Sequence, residues 1–436
     1  MMRAVAMLGC ALLALSSCGE REVLIPGERE TVRGNSGPVE IATATRGGAA
    51  PLVLPAPRRL ADWPLRVGNA RNDPGHATLS AAPTRVWSAD IGQGDSRRVR
   101  ISADPVSDGA RIFAMDAAST VSATTTGGGR VWSRALVPAT ERRTDAAGGG
   151  LAVAGGVVFA TTGFGELHAL DAATGATRWV QRLDAPLNSP KPVGGLVYLT
   201  SRDARAWAID VEQGRIRWEL PAAPATAVTA AAPSPAVTER LVLFPYGSGE
   251  IVAALRESGV RVWGSGVTGR RRGVAYNDIG DVTADPVVQG DAVYAGTQAG
   301  RMVALDLATG ERRWTATDGA VSPMAVAGGA VFAITDRAQL VRLDAATGDV
   351  VWRADLPFYE TSRIGRREGA YAHYGPTLAG GRLWVASADG VLRGFDPVSG
   401  ALAASVPVPG GAASRPIAMA DGLYVVGRGG TLHAFR

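Results

Sequence analysis

The stretch Gly165-Glu-Leu-His-Ala-Leu-Asp171-Ala-Ala-Thr-Gly175-Ala-Thr-Arg-Trp179 recurs along this chain and confines it to repeat architectures. It returns as Gly300-Arg-Met-Val-Ala-Leu-Asp306-Leu-Ala-Thr-Gly310-Glu-Arg-Arg-Trp314. From Leu340 it returns again, through Asp344 and Gly348 to Trp352. Each copy reads as an apolar strand, an Asp-x-x-Thr-Gly turn and a second strand ending on Trp. Asp can accept bonds from amides two residues on, and Gly takes the left-handed conformation that closes a hairpin with a bulge. A supersecondary unit repeated at fixed period buries its faces only by stacking on its neighbours.

Trp132, Trp179, Trp218, Trp263, Trp314 and Trp352 each stand four residues after a Gly, and Trp87 ends a similar strand. A large apolar ring at the end of an outer strand is expected to lock one unit onto the next. The last full copy, Asp396-Pro-Val-Ser-Gly400, has Ala404 where Trp is expected. Counting Ala404, successive positions lie 38 to 52 residues apart, which suits a four-stranded blade of roughly 40–50 residues. Upstream of each copy a Gly-Gly, Gly-Asp or Asp-Gly turn precedes an alternating apolar strand, as at Gly155-Gly-Val-Val-Phe159 and Gly328-Gly-Ala-Val-Phe332. These are hairpin signals. The C-terminal Gly430-Thr-Leu-His-Ala-Phe-Arg436 matches the first half of the repeat and lacks the second. Thr84-Arg-Val-Trp87 supplies the missing strand. The expected fold is all-β: an eight-bladed β-propeller of four-stranded antiparallel blades, the last closed by an N-terminal strand, which leaves only short protected edges.

Residues 1–17 read as a lipoprotein signal peptide: Arg3 is the basic start, Ala4 to Leu15 the apolar run, and Leu15-Ser-Ser-Cys18 the cleavage box. The run is too short for a spanning helix. Cys18 would carry the lipid, and acylation of the new N-terminus the second anchor that stable attachment needs. Residues 18–60 read as a lipidated flexible tether and 61–436 as the propeller. Trp63-Pro-Leu-Arg-Val-Gly-Asn69 is expected to cross one face of the ring. The only cysteines are Cys10 and Cys18, so the mature domain has no disulfide, thiolate metal site or cysteine-linked haem.

The formal charge of +5, reduced to +4 without Arg3, is almost all arginine, with Lys191 the single lysine. The bases are scattered, without the aromatic-plus-basic cluster that nucleic acid requires; the local exception is Arg270-Arg271-Arg272. His168 and His433 share one repeat position, and His76 and His373 have no metal spacing. The aspartates at 171, 210, 306, 344 and 396 each cap a hairpin turn. No phosphate loop or nucleophile elbow occurs. These readings leave no catalytic, cofactor or metal site. Three connections break the regularity: Leu220–Ser234, Thr268–Asp285 and Phe358–Tyr374. Loops on a rigid frame are where such folds bind partners.

The repeat Ala169-x-Asp171-x-x-x-Gly175-x-x-x-Trp179 resembles the tryptophan-docking motif of quinoprotein propellers, some of which are pyrroloquinoline-quinone-dependent dehydrogenases. Those enzymes carry a vicinal Cys pair that is missing here. With its lipobox, its Trp63-Pro opening and Asp281-Val-Thr-Ala-Asp285-Pro286, the chain is more similar to the non-enzymatic outer-membrane assembly factor BamB family. That resemblance implies a lipid-anchored, periplasm-facing scaffold at the outer membrane. It would dock on the periplasmic domains of a BamA-like barrel subunit, with unfolded outer-membrane proteins as further partners. It implies a docking surface on the loops before Pro235 and around Asp281, hence Arg270, Arg271, Arg272, Asp278, Asp281 and Asp285. The alternatives left by the sequence are a quinone-dependent dehydrogenase and a propeller lipoprotein that binds peptide or polysaccharide.

Overall fold

The computed structural model describes residues 51–225, 228–229, 232–267, 269, 279–367 and 369–436. Eight four-stranded antiparallel sheets account for every strand among them. Blade 1 begins with Val106–Ser107, and blade 2 runs from Leu151–Ala154 to Thr177–Arg182. Blade 3 runs from Lys191–Val193 to Ile216–Pro221, and blade 4 from Ala236–Val237 to Arg261–Gly266. Blades 5, 6 and 7 begin at Val282–Gln289, Ala325–Ala327 and His373–Ala379. Blade 8 consists of Ile417–Met419, Gly422–Gly427, Thr431–Phe435 and, as its outer strand, Arg85–Asp90. The expected closure is therefore what forms: Trp87 pairs with Ala434 and Asp90 with Thr431. Thr84 and Arg436 exchange backbone bonds of 2.7 and 2.9 Å.

The period-two pattern sorts the strands by depth. Second and third strands such as Val157–Thr161 and Glu166–Asp171 are buried on both faces between blades, whereas outer strands such as Thr177–Arg182 alternate exposed and half-buried. The repeat's turn behaves as its chemistry requires. Asp171 Oδ1 accepts the amides of Ala173 and Thr174, each at 3.0 Å, and Asp306, Asp344 and Asp396 repeat the arrangement. Gly175 sits at φ 72°, and the register shifts at Ala169/Leu170.

The same glycine also receives the tryptophan of the preceding blade. Trp132 lies over Gly175, so a Cβ there would fall 2.6 Å from the ring, and Trp132 Nε1 donates to Ala172 O at 3.0 Å. Trp179 docks likewise on Gly214 and Val211 O, Trp263 on Gly310 and Leu307 O, Trp314 on Gly348 and Ala345 O, and Trp352 on Gly400 and Pro397 O. Two members depart from the motif. Trp218 docks on Gly259 and donates to Arg256 O at 3.1 Å, yet its receiving turn, Leu255-Arg-Glu-Ser-Gly259, has no Asp. The turn still closes, through Gly259 N–H on Leu255 O at 2.8 Å, so docking needs the glycine and the carbonyl more than the carboxylate. Trp87 docks on Gly128 and Thr126 O, within the Thr125–Gly129 turn of blade 1. Burial is also less uniform than a simple lock between blades would have it. Trp132, Trp263, Trp314 and Trp352 are buried, whereas Trp87, Trp179 and Trp218 remain half-buried.

Ala404 now has an explanation. The blade it faces is blade 8, where the third and fourth strands end at the two ends of the sheet-forming chain and no Asp-x-x-Thr-Gly hairpin exists to receive an indole.

Within a blade, both Gly-rich hairpin turns fall on one face of the ring; the connections between blades fall on the other. A strap of residues 58–77 crosses the turn face, as expected of the Trp63-Pro opening. Trp63 exchanges backbone bonds with Ser107 of blade 1, and Pro64 O accepts from Val153 of blade 2. Ala70 O and Arg71 O accept from Val237 and Val288 in blades 4 and 5, and Ala77 pairs with Leu378 and Gly380 in blade 7. His76 Nδ1 lies 2.8 Å from Pro55 O while its Nε2 accepts from Gly381 N–H at 2.8 Å, so the neutral ring carries its proton on Nδ1. Residues 51–60, assigned from the sequence to the tether, also lie on the ring. Leu52 and Leu54 alternate inward onto an apolar cluster shared by blades 6 and 7, and Leu60 O accepts from Ala420 in blade 8.

Candidate functional site

Two of the three irregular connections meet on the face opposite the strap. Asp281, at the start of blade 5, accepts from Thr229 Oγ1 at 2.8 Å and from Thr229 N–H, so the connection after blade 4 holds the connection after blade 3. Four residues on, Asp285 Oδ1 accepts from Ser234 N–H at 2.6 Å. Between them Thr283 Oγ1 donates to Ala320 O at 2.6 Å. Burial raises the pKa of Asp281 above the carboxylate norm, opposed by the two bonds from Thr229 and by the charge of Arg202. Asp285 has no solvent exposure and Asp281 little. Both fasten loops together, so the surface a partner could touch is the backbone and side chains those loops present. Arg270, Arg271, Arg272 and Asp278, like Cys18, expected from the sequence to carry the lipid, lie outside the described residues.

Asp285 also belongs to a buried ionic cluster on the ring axis, which motif reading did not anticipate. Arg66 of the strap lies 3.1 Å from Asp104 and 3.7 Å from Asp285, and bonds Ala232 O. Arg415 donates its amide to Asp104 Oδ1 at 2.8 Å and its guanidinium to Pro376 O and Thr377 Oγ1. Lys191 reaches Asn72 Oδ1 at 2.5 Å and Asn69 O at 3.2 Å. Asn72 in turn donates to Pro286 O at 2.9 Å. Burial lowers Lys191 to about 7 against the attraction of Asp285, and lowers Arg415 to about 10 against Asp104 and Asp285. A signal for this cluster exists in the sequence. Asp104, Ser189, Ser234, Asp285, Ser322 and Arg415 all precede a proline at the start of an inner strand, and all are buried.

The third connection stands apart in kind. His373 bonds Ser387 Oγ at 2.7 Å and Pro357 O at 2.8 Å, and burial lowers it to about 4, so it is a neutral structural residue. Arg367 lies 4.8 Å over the Tyr359 ring. Among the described residues no three His, Cys, Asp or Glu side chains are grouped to hold a metal ion. A quinone does not fit either. The sequence lacks the paired cysteines, and the axis is filled by Arg66, Lys191, Arg415 and their partners.

A family model described as outer membrane protein assembly factor BamB matches residues 117–354, more than half of the chain. The outer membrane protein assembly factor BamB of Salmonella typhimurium is 34% identical over 260 residues, which is 56% of this chain but only 63% of that relative. That of Yersinia pestis is 24% identical over 366 residues, covering 81% of this chain and 89% of the relative. Among solved structures, BamB from Moraxella catarrhalis superposes with a TM-score of 0.66 at 20% identity, over 81% of this chain and all of that one. A quinohemoprotein alcohol dehydrogenase from Comamonas testosteroni superposes equally well, with a TM-score of 0.67 at 15% identity over 87% of this chain and 81% of that one. At such identities the superpositions speak to the fold alone. The ring, its docked tryptophans and the matched repeats place this chain in the outer membrane protein assembly factor BamB family.

Proposed function

We propose that this chain is a non-enzymatic scaffold of the machinery that folds β-barrel proteins into the outer membrane, anchored there by lipid on Cys18 and facing the periplasm. The observation that carries the reading is the joining of the connections after blades 3 and 4 through Asp281–Thr229 and Asp285–Ser234. Two loops tied to a stiff ring form a platform that a partner can meet with little further ordering, and that lowers the entropy lost on docking. The partner is the periplasmic part of the barrel subunit. Family membership supports that choice, and the Arg270–Arg272 and Asp278 segment belongs in sequence to the second of the two tied connections. A lipid anchor would confine both proteins to one surface and raise their effective concentration. The axial cluster supports a role without chemistry, because a prosthetic group on the axis would have to displace paired, buried charges.

Co-isolation tests the proposal. The intact, membrane-bound protein should bring down the barrel subunit, and Asp281→Ala combined with Thr229→Val should reduce that recovery while leaving the ring's thermal unfolding nearly unchanged. Failure of the wild-type protein to recover the subunit from membranes would reject the docking role.

A further inference from the structure

The chain already shows how its ring receives an extended peptide. Leu52 and Leu54 insert into the cluster shared by blades 6 and 7, Val53 points outward with 74% exposure, and the backbone at Val53 lies against the Gly328 turn. Alternation of this kind is how a β-type segment presents one face. Five residues after Leu54, Arg59 closes onto Asp421 at 2.8 Å. The segment thus combines an aliphatic pair two residues apart with a downstream cation on a rim carboxylate.

Four blades away, the repeat builds the corresponding groove and nothing of the described chain fills it. Between blades 2 and 3 lies a groove of about 520 Å³, lined by Ala154, Gly155, Val193 and Val211, with Arg178 and Glu212 on its rim. Its size falls within the roughly 300–1,000 Å³ of ordinary binding pockets. Gly155 stands where Gly328 stands in blade 6, and a Cβ on Gly155 would meet nothing within 4 Å, whereas one on Gly328 would meet Val53 O. Beneath the groove, Ala154 and Val211 are only half-buried against the cluster of blades 2 and 3, the counterpart of the one that Leu52 and Leu54 cover. The groove's lining carries one cation and one anion, Arg178 and Glu212. Arg178 is paired with Asp171 at 2.8 Å, while the Glu212 carboxylate has no partner among the described residues.

We infer that the blade 2–3 groove binds an extended segment with aliphatic side chains at alternate positions and a nearby Arg or Lys, supplied by an unfolded outer-membrane barrel protein. Strands that cross a membrane as a barrel alternate apolar and polar residues in this way, and the rim carboxylate provides the charge complement. The inference rests on the assembly role proposed above, but it concerns the face opposite the joined loops, so the two can fail separately.

The test titrates the full-length protein with a fluorescent peptide of alternating Leu and Thr carrying one Arg. A second peptide has the same composition with its Leu residues adjacent. The alternating peptide should bind more tightly. Ala154→Arg should weaken it about tenfold, Glu212→Arg should weaken it less, and Val131→Arg on the exposed outer edge of blade 1 should leave it unchanged. An unlabelled peptide with the sequence of residues 51–57 should compete. The inference is overturned if Ala154→Arg binds as the wild type does, if Val131→Arg weakens binding equally, or if the two peptides bind alike. Ala154→Arg should still recover the barrel subunit from membranes. Loss of that recovery in the wild type would strike the docking role and leave the titration to judge the groove.

Discussion

A single tryptophan-on-glycine contact explains two residue choices at once, the indole and the glycine it covers, while the carbonyl that the indole N–H meets is backbone and comes from any residue. Removing the ring leaves a cavity between blades, so Trp314→Ala should destabilise the protein by about 3–5 kcal/mol in urea unfolding. Ala404→Trp should gain nothing, because blade 8 offers no hairpin to dock on. A gain comparable to the loss at Trp314 would show that the indole stabilises without its receiving turn. Lys191 makes a second prediction. Its folded pKa lies near 7 and its ordinary value is 10.5, so between these the unfolded chain binds a proton that the folded chain does not. Stability should therefore rise with pH across that window, up to about pH 10 where tyrosine ionisation begins to act. Buried Tyr198 and half-buried Tyr374, each held near 12, then reverse the trend. Lys191→Met should flatten the rise between pH 7 and 10; an unchanged slope would place its origin elsewhere.

At the scale of elements, the strap does more than cover the turn face, since its polar groups knit inner strands from opposite sides of the ring. Asn72 alone donates to Pro235 O and Pro286 O and accepts from Lys191. Asn72→Ala would leave these groups unpaired, at about 1–3 kcal/mol, and should speed hydrogen exchange at the Val237 and Val288 amides that bond the strap. Protection unchanged at both amides would mean that the strap is held by its apolar residues alone. The blades were legible in the sequence because Asp, Gly and Trp each do a local job at a fixed offset. Trp218 shows the limit of that legibility, since its own blade matches the repeat while the turn that receives it, ending on Gly259, does not. Leu52 and Leu54 were not legible, since two alternating leucines beside prolines look like a tether until a neighbouring groove receives them. The axial cluster was hidden for another reason. Asp104, Asp285 and Arg415 occupy one repeat position, yet that position differs in kind from blade to blade, Arg66, Asn72 and Lys191 come from outside it, and Asp104 meets Arg415 across most of the chain. The joined loops lie between these cases: Asp281 was singled out, but its bond to Thr229 could not be read from either loop alone.

For the whole molecule, the termini of the sheet-forming chain close the ring in blade 8, the strap ties its turn face, and two aspartates gather the connections opposite. The ring thereby offers two separate surfaces, loops on one face and a groove between blades on the other, around an axis already filled by paired charges. The dehydrogenase superposition reflects the shared fold alone, and among the described residues the inner ends of the blades here hold the buried Arg66, Asp104, Lys191, Asp285 and Arg415. The most direct measurement places a photoreactive residue at Ile279, beside Asp281, and another at Val131 on the outer edge, in cells carrying the intact protein. Crosslinks to the barrel subunit should form from position 279 and be weak or missing from 131. Equal crosslinking from both positions, or none from 279 with the ring intact, would contradict the account.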